Sequence, residues 1–246
     1  MLAKEKLIIA LDVAGLEAAE DLVNKLAPYV GMFKVGLELY TAAGPAAIRL
    51  IKERGGRVFA DLKLHDIPHT VSQAARVLVR QGVDMLNVHA AGGRKMLQAT
   101  AQAVKEEAYK QGRKPPLLIA VTVLTSLEEV ELRQEVGMNR PLEQQVVYWA
   151  QLARECGLDG VVSSARELEA LRRACGPELV IVTPGIRPAG SQTHDQRRVL
   201  TPAEAVRKGA TYLVVGRPVT GAPDPVAAVK GILEEMNILL DDNSTL

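Results

Sequence analysis

Eight short apolar runs recur along the whole chain, and most are followed by a stretch with helical spacing. The runs are Leu7–Leu11, Met32–Gly36, Val58–Lys63, Asp84–His89, Leu117–Val123, Gly160–Val162, Leu179–Val182 and Tyr212–Val215. Strand-length runs that are apolar nearly throughout suit parallel strands buried on both faces. Helical patterns lie between them at Leu16–Pro28, Thr41–Arg54, Val71–Gln81, Gly92–Gln111 and Ala165–Cys175, with polar helical material up to Cys156 and a closing helix at Pro225–Leu240. In the first, Leu16, Ala19, Leu22, Val23 and Leu26 recur at the three- and four-residue spacing of one helix face. Eight β-then-α units in 246 residues predict an α/β fold, a (β/α)8 TIM barrel. A doubly wound open sheet is the competing architecture. It calls for fewer strands and a Gly-rich turn after the first, and Asp12-Val13-Ala14-Gly15 is not that turn. No internal repeat or linker interrupts the series, so residues 1–246 read as a single barrel domain, with 241–246 a frayed tail. The weakly patterned stretch Arg187–Arg198 reads as a loop.

Composition narrows the possible partners. A formal net charge of +1 gives no electrostatic reason to bind nucleic acid or an anionic membrane. Aromatic residues are 3% of the chain, too few for a series of base-stacking platforms, so a small substrate is expected. The apolar run near the N-terminus stops at Asp12, short of a signal-peptide core, and no uncharged apolar stretch reaches the roughly 18 residues of a membrane span. A soluble, cytoplasmic protein is expected. Cys156 and Cys175 lack metal-ligand or C-x-x-C spacing and read as small buried apolar residues.

In this architecture chemistry gathers at the C-terminal ends of the strands. Those ends carry Asp12; Asp61, Lys63 and Asp66; His89; Thr122 and Thr125; Ser163; Arg187; and Arg217. Lys34 stands inside the second run, sharing a face with Met32 and Gly36, so it is expected to point into the barrel while Phe33 and Val35 face helices. Asp61 and Lys63 share a face of the third strand, and Lys34 on the neighbouring strand can meet Asp61. The structural alternative is an ion network that only holds the barrel together, but such networks stabilise poorly compared with apolar packing. Arg187 and Arg217 follow strands seven and eight, where this fold holds phosphate, and Gly216 lets a backbone approach an anion. Two solvated surface arginines are the alternative. The four histidines have no H-x-H or H-E-x-x-H spacing, so no metal site is expected.

Together these residues resemble the orotidine 5′-phosphate decarboxylase family, close to its bacterial members. The resemblance is carried by D-L-K-L-H-D-I-P at 61–68, I-A-L-D at 9–12, F-K-V-G at 33–36, N-V-H-A-A-G-G at 87–93, L-T-S at 124–126, T-P-G-I-R at 183–187, D-Q at 195–196 and V-V-G-R at 214–217. His69 departs from the family pattern, where Thr or Asn is commoner. The resemblance implies removal of CO2 from orotidine 5′-phosphate to give uridine 5′-phosphate, with no metal or organic cofactor. It implies that Lys63 donates the proton, and that Asp12 and Lys34 hold the ribose with Lys34 also paired to Asp61. Asp66, Ile67 and Thr70 would enter the active site of a neighbouring subunit in a homodimer. Thr125 would lie near the pyrimidine, and Arg187, Gln196, Gly216 and Arg217 would hold the phosphate. Two other readings share much of this pattern. One is a sister sugar-phosphate barrel, either a Mg2+-dependent keto-sugar-phosphate decarboxylase or a hexulose-phosphate synthase. The other is a non-catalytic nucleotide-binding barrel, which would be expected to have lost Lys63 or an aspartate.

Overall fold

All eight expected strands form, and they close in sequence order into one parallel barrel. The computed structural model describes residues 2–188 and 200–242. Its strands are β1 (Leu7–Ala10), β2 (Met32–Val35), β3 (Val58–Leu64), β4 (Met85–His89), β5 (Leu117–Val121), β6 (Gly160–Val162), β7 (Val180–Thr183) and β8 (Tyr212–Val215). Pairing of Leu7 with Leu213 and Ile8 with Val214 joins β1 to β8 and removes the two edges an open sheet would keep. That closure rules out the doubly wound alternative.

Strand alternation divides the apolar side chains into two sets. Ile8, Ala10, Met32, Phe59, Met85, Ile119, Val182, Tyr212 and Val214 fill the barrel interior. Leu7, Ile9, Phe33, Val35, Val58, Ala60, Leu86 and Val88 face outward into the layer between barrel and helices. Each strand therefore needs apolar residues on both faces, which is why the runs are continuous. Lys34 lies on the inward face, as expected from Phe33 and Val35 packing outward.

Several connections differ from expectation. The helix expected at Thr41–Arg54 is two helices, Leu37–Ala43 and Pro45–Glu53. Gly44 separates them at φ 57, a left-handed conformation glycine adopts without penalty, and Pro45 opens the second. The helix after β3 starts at Pro68 rather than Val71, again because proline suits a first helical turn. The polar stretch before Cys156 contains helices Glu129–Gln134 and Leu142–Glu155. Short helices at Ala3–Lys6, Pro202–Arg207 and Arg217–Thr220 carried too few residues to show a periodic pattern. The closing helix runs Pro225–Asp242, two residues past its expected end; the rest of the expected tail lies outside the described residues.

One irregularity bears on the site. Between β3 and β4, Ala60 pairs with Leu86 but the next partners are Leu64 and Val88, so β3 carries two more residues than β4 across this interval. An even excess preserves the in-and-out alternation, so Asp61 and Lys63 both still face inward. Lys63 absorbs the bend at φ 50, the one positive φ outside glycine among the described residues.

Candidate active site

The mouth of the barrel at the C-terminal strand ends holds a cavity of about 540 Å3. Its floor is apolar, made by Phe59, Val121, Val162, Val182 and Val214 from the strands beneath. Its walls carry Asp12, Lys34, Asp61, Lys63, Thr125, Arg187, Gly216 and Arg217, all expected from sequence.

The charged groups form a connected chain. Lys34 Nζ lies 2.9 Å from Asp12 Oδ1 and 3.4 Å from Asp61 Oδ2, and Lys63 Nζ donates to Asp61 Oδ1 at 2.7 Å. Lys34 and Asp61 are 8% and 9% exposed, so this is a buried lysine–aspartate pair opening onto the half-exposed Lys63. Burying such charges is favourable only when each is paired and hydrogen-bonded. Gly36 leaves the space for the Lys34–Asp12 contact: a Cβ there would stand 2.8 Å from Lys34 Nζ and 3.0 Å from Asp12 Oδ1.

On the opposite flank, Arg187 is buried and Arg217 exposed. Burial, with the Arg217 guanidinium nearby, draws Arg187 below the usual arginine range, although it stays cationic at neutral pH. Arg187 Nη1 donates to the Ile186 carbonyl at 3.0 Å, while its buried Nε has no hydrogen-bond partner among the described residues. Because β8 adjoins β1, the two flanks form one arc: Arg187 after β7, Gly216 and Arg217 after β8, Asp12 after β1, Lys34 on β2, and Asp61 and Lys63 on β3.

Three expected residues stand apart. Asp66, Ile67 and Thr70 are exposed on the β3 loop and the helix start that follows it, and none lines the cavity. Asp66 accepts from the Ile67 N–H at 2.6 Å and forms no ion pair with another described residue. Gln196, and with it His194, lies outside the described residues. Thr122 and Ser163 do not face the cavity: Thr122 donates to the Val162 carbonyl at 2.8 Å and Ser163 to Glu167 at 3.4 Å. The rings of His65 and His89 lie tilted at 35° with centroids 5.4 Å apart. Burial, then His65 and Lys63, hold the His89 imidazole below its ordinary range, with Asp61 opposing. Cys156 and Cys175 are buried free thiols, and burial pushes both upward in pKa.

Two polar groups were not anticipated. Glu38 lines the cavity from the first turn of the helix after β2. Asn87, 1% exposed beneath Asp61, bonds to both Asp61 and the Lys63 backbone. A polar residue in the middle of the apolar run M-L-N-V-H was the available signal for Asn87.

The model of the orotidine 5′-phosphate decarboxylase / HUMPS family matches residues 5–232. A protein of Moorella thermoacetica named orotidine 5′-phosphate decarboxylase is 67% identical over 239 residues, covering 97% of this chain and 95% of its own. One of the same name from Syntrophomonas wolfei is 52% identical, covering 96% of this chain and 99% of its own. The crystal structure of orotidine 5′-phosphate decarboxylase from Lactobacillus acidophilus superposes with a TM-score of 0.83 at 38% identity, covering 94% of this chain and 98% of that one. With its closed barrel, its lysine–aspartate chain and these relatives, the chain belongs to the orotidine 5′-phosphate decarboxylase / HUMPS family.

Proposed function

We propose that the protein decarboxylates orotidine 5′-phosphate to uridine 5′-phosphate and CO2, the closing step of pyrimidine nucleotide synthesis. One observation carries the reading: a single cavity is lined both by the Lys63 ammonium and by the two arginines Arg187 and Arg217. Their order around the barrel parallels the covalent order of a nucleoside 5′-phosphate. The arginines suit the phosphate, Asp12 and Lys34 the ribose, and Lys63 the base. The buried Nε of Arg187, unpaired among the described residues, is the donor expected where an anion binds. Gln196 is assigned to the phosphate by family resemblance alone. Thr125 lines the same cavity and is assigned to the pyrimidine side.

Loss of CO2 leaves an electron pair at C6 in the plane of the ring, where the π-system cannot delocalise it. Stabilisation then has to come from a fixed positive charge. Lys63, held 2.7 Å from Asp61, supplies that charge and afterwards the proton. Asp61 also repels a substrate carboxylate placed nearby. At ~4 Å and an effective dielectric of ~20 that repulsion is about 4 kcal/mol, or about three powers of ten in rate. Enzymes commonly supply roughly six to seventeen powers of ten, so preorganised charge at Lys63 and binding energy from the remote phosphate carry the larger share. Asp66, Ile67 and Thr70 are assigned to the site of a second subunit, which fits their exposure and the absence of Asp66 from this chain's cavity. A cytoplasmic homodimer that uses no metal or organic cofactor completes the reading.

The sister-barrel reading requires a divalent cation. Against it, Asp12 and Asp61 accept from lysines here, and the Moorella and Syntrophomonas relatives carry the decarboxylase name. The deciding test is turnover of orotidine 5′-phosphate by purified protein in excess EDTA. Release of CO2 with formation of uridine 5′-phosphate is expected, and Lys63→Ala should cut it to a small residual rate. No turnover in EDTA with activity restored by Mg2+, or uridine 5′-phosphate binding without turnover, would sink the proposal.

A further inference from the structure

We infer that Asn87 is a positioning residue that holds the Lys63 ammonium and the Asp61 carboxylate in register; the inference rests on the proposed role of Lys63. Asn87 lies on the inward face of β4 between Met85 and His89, 1% exposed and not lining the cavity, so it has no route to substrate. Its carboxamide spans the irregular stretch between β3 and β4. Asn87 Oδ1 accepts from the Lys63 backbone N–H at 2.8 Å, and Asn87 Nδ2 donates to Asp61 Oδ1 at 2.7 Å. These two partners fix the orientation of the amide, since an N–H needs an acceptor and a carboxylate needs a donor.

The need for such a group follows from the backbone. Lys63 sits at φ 50 in the interval where β3 carries two residues more than β4, so its N–H is turned out of the regular ladder. A left-handed conformation is unfavourable for a non-glycine residue and persists only where the surroundings enforce it. The Asn87 carbonyl takes the N–H that the bend releases. The same amide donates to Asp61 Oδ1, the oxygen that also accepts from Lys63 Nζ, and leaves Oδ2 facing Lys34 at 3.4 Å. One buried side chain thus ties the main chain of Lys63 to the carboxylate that aims its ammonium. An aliphatic residue would fill the space and supply neither bond.

The test uses Asn87→Ala and Asn87→Leu, each alone and in the Lys63→Ala background. Leu keeps most of the volume and supplies neither the acceptor for the Lys63 N–H nor the donor to Asp61. Both single variants are expected to bind uridine 5′-phosphate and to keep KM within about threefold, because the proposed phosphate and ribose contacts lie on other strands. Their kcat should fall about 10²-fold, the scale of a reacting group displaced by about 1 Å. In the Lys63→Ala background the same substitutions should leave residual kcat unchanged within about threefold, since Asn87 would have no ammonium left to position. A kcat within about threefold of the unsubstituted protein in either folded single variant overturns the inference, as does an equal further loss in the Lys63→Ala background. If Asn87→Ala does not fold, the near-isosteric Asn87→Leu decides. Full activity in Lys63→Ala by itself would instead remove the proposed role of Lys63, so the two failures are told apart.

Discussion

Replacing Asp61 by Asn removes one charge while keeping the side chain's shape. Asp61 is 9% exposed and stands 2.7 Å from Lys63 Nζ and 3.4 Å from Lys34 Nζ. After the substitution Lys34 keeps Asp12 at 2.9 Å, but Lys63 has no other carboxylate among the described residues. Breaking a buried pair from one side costs about 3–5 kcal/mol, because the remaining charge is stranded. The Lys63 side chain is 31% exposed and can turn partly to water, which sets the loss near the low end, about 3 kcal/mol. For a chain of this size that lowers Tm by about 6–12 °C. Urea unfolding of ligand-free protein at fixed protein concentration measures it, with Lys34→Met as the internal comparison. Lys34→Met leaves Asp61 bonded to Lys63 and Asn87 and leaves Asp12 half open to solvent, so it should cost less. A loss under about 1 kcal/mol, the scale of an exposed ion pair, or a larger loss in Lys34→Met, would refute the view that Asp61 is the buried centre of this network.

Further outcomes follow from the rest of the site. Arg217→Ala, on the arginine side of the arc and remote from Lys63, should reduce kcat/KM for orotidine 5′-phosphate by at least about 10²-fold, because remote binding energy is used at the transition state; near-normal kcat/KM in steady-state assays would remove the phosphate assignment. Mixing Lys63→Ala and Asp66→Ala chains, each nearly inactive alone, should restore activity if each site takes Asp66 from its partner. With half the dimers hybrid and one intact site in each, recovery should approach about a quarter of the native value. No recovery despite demonstrated subunit exchange counts against the shared site. His89 has a folded pKa below its ordinary 6.5, so its contribution to stability is complete above pH 6.5 and is lost as pH falls through the folded value. His89→Gln should therefore flatten the loss of stability between about pH 7 and 5, and parallel urea midpoints for the two proteins over that range would contradict it.

The barrel was legible because its signals are local. Continuous apolar runs, helical spacing and the inward register of Lys34 all depend on neighbours within a few residues along the chain. So did the position of charges at strand ends, which placed Asp12, Asp61, Lys63, Arg187 and Arg217 around one mouth. The split helix at Gly44-Pro45 could have been read from the same local chemistry but was obscured by a spacing that spans both halves.

What tertiary structure alone decided is non-local. Closure of β8 on β1 brings Gly216 and Arg217 beside Asp12 from opposite ends of the chain, and no spacing in the sequence reports that adjacency. The alternation that put Asp61 and Lys63 on one face held, but only because the excess in β3 is two residues; an excess of one would have turned Lys63 outward. That excess, the left-handed backbone of Lys63 and the bridging amide of Asn87 exist only through the pairing of two strands. Residue types along a strand select the face each side chain takes. The partner strand sets where a backbone bends and which group takes the hydrogen bond that the bend releases.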